Sequence, residues 1–205
     1  SFLDAVKDAG FNLLTTANNH SMDTGKAGVI RTLDKLDEYG IQHFGTNRSQ
    51  QEQDTILYKD VNGLRFAFLS YTYGTNGIPM PEPYLVNLID NDRMVRQISE
   101  ARENADVVVV MPHMGNEYES TPRQVIVDWA DLMFASGADI VLASHPHVLQ
   151  RMEYRKLNHG DGEHDGFIIY SLGNFISSQT TPPRNASIVL HLTVEKVGNE
   201  PPNVR

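Results

Sequence analysis

The chain has 205 residues, of which 40% are hydrophobic, enough for one sizeable core. Its formal net charge of -9 repels phosphate backbones at long range, which excludes a dedicated nucleic-acid binder and suits divalent cations. The absence of cysteine rules out disulfides and thiolate zinc sites, and no apolar run reaches the roughly 18 residues of a membrane-spanning helix.

The chain opens within an apparent helix, Phe2–Ala9, stopped by Gly10. No signal peptide is visible, so a signal or anchor is expected upstream of Ser1. An apolar strand, Asn12–Thr16, follows. Asp23 and Thr24 offer helix-starting side chains for a helix to about Tyr39, with Val29, Leu33 and Leu36 as its buried stripe and Gly40 as its stop. A short strand is expected over Ile41–Gly45. Thr55–Val61 and Leu64–Tyr71 are joined by Asn62-Gly63, whose positive φ closes a β-hairpin.

Asp92 opens a helix to about Asn104, and the run Val107–Met111 reads as a strand buried on both faces. Thr121-Pro122 predicts an N-cap and first turn for a helix to Ser136, closed by Gly137. Asp139–Ala143 is another buried strand, Phe167–Ser171 a further one, and Ser187–Val197 alternates like a strand with one exposed face. Tyr73–Tyr84 and Ser177–Ala186 are the longest irregular stretches and read as surface loops. With no linker dividing it, the chain reads as one α/β domain spanning residues 1–205. Asn12–Thr16, Val107–Met111 and Ile140–Ala143 are expected to lie parallel in one sheet.

Four of the eight histidines sit just after a predicted strand. They are His20, His113, and the pair His145 and His147 around Pro146. A polar turn, Leu172-Gly173-Asn174, follows another strand. Ligands of α/β sheets bind beyond the carboxyl ends of strands, so these segments are expected to converge. Imidazoles, a carboxamide and carboxylates suit zinc, manganese or iron better than calcium. Each residue has a plainer reading. A lone histidine after a strand usually caps or packs, Asn18-Asn19 makes turns, and His-x-His alone has many false positives. His43, His159, His164 and His191 read as structural or solvated, and the Gly/Asp-rich tract His159–Gly166 as an exposed hairpin loop.

Ala17-Asn18-Asn19-His20-Ser21-Met22-Asp23-Thr24-Gly25, His113-Met114-Gly115-Asn116-Glu117-Tyr118, Gly137-Ala138-Asp139-Ile140-Val141, His145-Pro146-His147-Val148-Leu149-Gln150 and Tyr170-Ser171-Leu172-Gly173-Asn174-Phe175 together resemble the CapA, or poly-γ-glutamate capsule synthesis, family. The resemblance covers nearly the whole chain. It implies a metallophosphoesterase-like, calcineurin-like fold, a four-layer sandwich of mixed β-sheets flanked by helices, present here as its C-terminal portion. It also implies a divalent metal pair (manganese, iron or zinc), with Asn19, His113, His145 and His147 as ligands. His20 would be the proton donor, Asp23 its orienting carboxylate, and Glu117 a ligand or base. Asn18, Gln150 and Asn174 would line the substrate pocket.

Three departures bear on the site. Met114 stands where such proteins usually carry tryptophan, and Ser144 replaces the glycine of the Gly-His-x-His motif. The family's Gly-Asp and Asn-Leu-Glu motifs are not in the chain; they are expected before Ser1, and without their carboxylates the metal pair would be weakly held or absent. The implied role is a metal-dependent phosphoesterase-like hydrolase of capsule production, extracytoplasmic and tied to the cell surface through a preceding segment. Its partners would be an anionic polymer or phosphorylated substrate, and membrane-bound polyglutamate synthase subunits. The alternative is a non-catalytic scaffold that binds the polymer or the synthase.

Overall fold

The computed structural model describes residues 1–205, which fold as two compact units. Unit 1 comprises Ser1–Thr55 and Ser70–Ile89; unit 2 comprises Ile56–Leu69 and Asp90–Arg205.

In unit 1, helix α1 (Phe2–Asp8) is capped by Ser1, whose hydroxyl accepts the Asp4 N–H. Strand β1 (Leu13–Thr15) leads to helix α2 (Gly25–Glu38), and strand β2 (Gln42–Phe44) returns parallel to β1. This is a βαβ crossover. Helix α2 presents the expected stripe, with Val29, Leu33 and Leu36 buried. Val29 and Leu33 join Ala17, Met22, Leu85 and Val86 in one apolar cluster. Burying each such valine or leucine is worth about 1.5–3 kcal/mol. A short helix, α3 (Gln50–Asp54), starts at Ser49, whose side chain accepts from the Glu52 N–H.

Unit 2 is built on a six-stranded mixed sheet. The hairpin β3 (Leu57–Val61) and β4 (Leu64–Thr72) pairs antiparallel, and the boundary with unit 1 falls inside β4. Its turn residues Asn62 and Gly63 have φ of 51° and 85°, the left-handed pair that the sequence demands. Helix α4 (Asn91–Asn104) starts at Asp90, which caps the Arg93 N–H. Strand β5 (Val107–His113) is followed by helix α5 (Gln124–Ala135), strand β6 (Ile140–Leu142), and the antiparallel hairpin β7 (Met152–Asn158) and β8 (Glu163–Ile169). The sheet order is β3-β4-β5-β6-β8-β7, with β5, β6 and β8 mutually parallel. Val107, Val109, Ile140, Phe167 and Ile169 fill one side of it, and helices α4 and α5 pack on each other. Strands β9 (Val194–Glu195) and β10 (Asn203–Val204) make a separate antiparallel pair.

Three expectations are corrected. Strand β1 pairs with β2 in its own two-stranded sheet, so of the three strands expected to be parallel in one sheet only β5 and β6 share one. Thr121-Pro122 does not cap α5. The cap position is Arg123, without a side-chain cap, and its guanidinium reaches back to Glu119. The long strand expected over Ser187–Val197 is regular only at Val194–Glu195. Ile188, Leu190, Leu192 and Val194 do pack against the core, so the alternation recorded which side chains are covered, not a continuous ladder.

Candidate metal centre

In unit 1 the chain leaves β1 through a turn made by its own side chains. Asn18 Oδ1 accepts the His20 N–H at 2.8 Å, and the Asn18 N–H donates to Ser21 Oγ at 2.9 Å. Asn18 therefore shapes the turn. Asn19 is buried, and its amide nitrogen donates to Asn76 Oδ1 at 3.1 Å. His20 is exposed, and its Nδ1 lies 2.8 Å from Asp23 Oδ2. With Nδ1–H donating to that carboxylate, Nε2 is the nitrogen presented outward.

In unit 2 the carboxyl ends of β5 and β6 meet. His113 is the last residue of β5, so it belongs to the strand and does not follow it. It bridges to Ser144, and its Nδ1 lies 3.0 Å from Ser144 Oγ. The residue replacing the family glycine thus fixes this imidazole. The backbone beyond β6 is strained: His145 has φ of 113° and His147 of 62°. Conformations of this kind cost about 1–3 kcal/mol each and persist only when their surroundings impose them. Here Ser144 N–H donates to Pro112 O, Met114 N–H to Ser144 O, and Tyr118 N–H to Pro146 O, at 2.8–3.1 Å. Gly115 has φ of 116°, and a Cβ there would sit 2.9 Å from Pro146 Cγ, so only glycine lets the two loops meet. Met114 is fully buried beneath them.

The outcome is a convergence of donors. One ligand atom from each of Glu117, His145 and His147 lies within 4.8 Å of the others. His113 and His145 have ring centroids 4.8 Å apart, and His145 and His147 5.9 Å. His147 Nδ1 is 2.8 Å from Asn174 Oδ1, which fixes the tautomer and turns Nε2 toward Glu117 Oε1, 3.8 Å away. A carboxylate oxygen and two imidazole nitrogens within 4.8 Å of one another suit a borderline divalent cation. Around them, Tyr118 stacks on His147, and the Arg184 guanidinium lies 4.9 Å from the Tyr118 ring centroid. Asn174 and Arg184 also line a cavity of about 270 Å³. Gln150 is buried, and its amide donates to Glu119 O at 2.7 Å, tying down the segment after Glu117.

The candidate residues therefore gather as Asn18, Asn19, His20 and Asp23 in unit 1, and as His113, Glu117, His145, His147 and Asn174 in unit 2. Sequence reasoning placed Asn174 in the pocket but did not assign it as the partner of His147. It did not find Arg184, which carries no motif of its own. His43 pairs with Asp37 at 2.9 Å and His191 is exposed. His159 and His164 lie at the opposite end of the strands, beside Asp139.

Comparison with known proteins adds the lineage. The family model described as "Bacterial capsule synthesis protein PGA_cap" matches residues 1–179. The "Capsule biosynthesis protein CapA" of Bacillus anthracis is 36% identical over 196 residues, covering 92% of this chain and 46% of that protein. The "PGA biosynthesis protein CapA" of Bacillus subtilis (strain 168) is 34% identical over 189 residues, covering 90% and 47%. The chain thus spans about half the length of these relatives. Among solved structures, a 5'-nucleotidase precursor from Thermus thermophilus superposes with a TM-score of 0.50 at 14% identity, over 82% of this chain and 34% of that one. That likeness concerns the fold alone.

Proposed function

The chain belongs to the bacterial capsule synthesis protein family PGA_cap, and we propose that it carries a metal-dependent phosphoester hydrolase used in making capsule or poly-γ-glutamate at the cell surface. The observation that carries this reading is the donor set of Glu117, His145 and His147, with His147 oriented by Asn174. Glu117, His145 and His147 would hold a divalent cation, manganese, iron or zinc, which would supply Lewis acidity to a phosphoryl oxygen and lower the pKa of bound water. The chain's own groups do the rest. Ser144 and Asn174 fix the rings of His113 and His147. Arg184, on the Tyr118 face beside the 270 Å³ cavity, offers a cation to an anionic substrate. His20, held through Nδ1 by Asp23, presents Nε2 outward and in its imidazolium form is a proton donor suited to a leaving group.

The test is turnover of a phosphodiester and a monoester by the purified chain supplied with manganese or zinc. His20→Ala is expected to keep the metal and lower turnover about 10²–10⁴-fold. The loss should be smallest for substrates with good leaving groups, which need little protonation. An equal loss for good and poor leaving groups would remove His20 from this role. If the chain binds metal yet turns over neither substrate, the scaffold that binds anionic polymer or the membrane-bound synthase becomes the reading to pursue.

A further inference from the structure

Unit 2 holds a second group of metal-ligating side chains, at the amino ends of the strands whose carboxyl ends carry the first. We propose that Asp139 Oδ1, His159 Nε2 and His164 Nε2 form a structural site for one zinc ion. Asp139 directly precedes β6, and its side chain is fully buried. Its Oδ2 is already committed, accepting from Arg102 Nη1 at 2.8 Å and from the Val108 N–H at 2.7 Å. Its Oδ1 faces two imidazoles, with His164 Nε2 at 3.0 Å and His159 Nε2 at 3.7 Å. The three ligand atoms lie within 4.8 Å of one another, and the two rings meet at 61° with centroids 5.1 Å apart.

Two of the three spacings are those of a coordination shell. Zinc bonds of about 2.0–2.2 Å in a tetrahedron place neighbouring ligand atoms about 3.4 Å apart. The two observed separations of 3.0 and 3.7 Å bracket that value. Three protein ligands leave one position for water.

One nitrogen of the pair needs explaining. His164 Nδ1 lies 3.3 Å from Gly162 O. Its Nε2 donates to Asp139 Oδ1 at 3.0 Å when it carries the proton, and a zinc ion would replace that proton between the two atoms. His159 Nε2 is buried without a hydrogen-bond partner, its side chain only 8% exposed. At 3.7 Å its contact with Asp139 is too long for a hydrogen bond. No protonation state of His164 supplies His159 Nε2 with a partner. Arg102, on the far oxygen of Asp139, plays the part of the outer group that orients a ligating carboxylate. Its approach depends on Gly137, where a Cβ would lie 2.8 Å from Arg102 Cβ.

The site is separate from the first. Val108 and His113 are five residues apart on β5, roughly 16 Å along the strand. Its ligands come from the residue before β6 and from the β7–β8 hairpin, so zinc would clamp that hairpin to the sheet. A zinc ion held there is independent of the hydrolase reading.

The experiment uses the full chain with His145→Ala and His147→Ala, which silence the first site. After chelator treatment, zinc is titrated by calorimetry and unfolding is followed with and without zinc. We expect one equivalent bound and a Tm that rises with zinc. Adding His159→Ala should weaken binding at least about 100-fold and make Tm indifferent to zinc. The metal-free Tm will fall as well, because a buried ring that packs on His164 and bonds the Ala138 backbone is lost, so the reading is the zinc-induced shift and not the baseline. Cobalt added to the double variant gives a second readout, intense visible bands of a four-coordinate nitrogen and oxygen shell. If the double variant takes up no zinc and its Tm ignores the ion, the group is an Arg102–Asp139–His164 ion network and the proposal is overturned. Unchanged binding after His159→Ala would overturn it too.

Discussion

The two ends of the central strands of unit 2 carry nearly the same side chains in opposite settings. At the carboxyl ends, Glu117 is exposed, His147 is partly exposed, and both histidines sit on left-handed backbone held by the loops around them. At the amino ends, Asp139 and His164 are fully buried, and an arginine and a strand N–H pin the carboxylate. A carboxylate and two imidazoles do not define a function by themselves. Access and backbone strain suit the first set to a reacting ligand, and burial suits the second to holding the fold together.

The largest expected difference is in stability. Asp139→Ala strands the Arg102 guanidinium and the imidazoles in the interior, and should cost about 3–5 kcal/mol in urea denaturation with chelator present. Glu117→Ala, at an exposed position, should stay within about 0.5 kcal/mol. Similar losses would erase the distinction between the two ends. Next in size is the orienting contact at the open end. Asn174→Ala frees the His147 ring and should weaken metal binding there about 10–100-fold, whereas Asn174→Asp, which keeps an acceptor, should largely restore it. Calorimetric titration of the three proteins decides this.

The smallest effect lies near the buried cluster, at Asp106. The Arg65 backbone N–H and then the Lys196 ammonium hold its carboxyl below the usual carboxylate range. A depressed carboxyl contributes stability that is complete above the unfolded-state pKa, near 4, and is lost as pH falls through the folded value. Asp106→Asn should therefore lower stability at pH 7 by about 1 kcal/mol and flatten the acid limb below about pH 4. A variant whose acid limb matches wild type would show that Asp106 is not the group responsible.

Local chemistry made much of this architecture legible. Asn62-Gly63 dictated its turn, the stripe on α2 its buried face, and Val107–Met111 the central strand. Long-range pairing was not legible: nothing within Leu13–Thr15 says that its partner is β2 alone. Strand β7 went unread because Met152–Asn158 alternates between exposed and half-buried residues at a sheet edge, with no apolar run. Helix α3 did have a legible start, Ser49 with Glu52 three residues on, but only five residues follow. At the site, histidines after strands pointed to His113, His145 and His147. The meeting of Asp139 with His159 and His164 depends on the register of β8 against β6, where Ile140 pairs with Phe167, and no local pattern encodes that.

The most direct test of the proposed metal centre is manganese and zinc binding in the chain carrying His159→Ala, which silences the buried site, compared with the same chain carrying His147→Ala as well. Calorimetric titration should find metal bound in the first and none in the second, and phosphoester turnover should vanish with it, because His147 supplies one of the converging nitrogens. Equal binding in both proteins, or turnover that survives without metal, would contradict the assignment of Glu117, His145 and His147 as the metal centre.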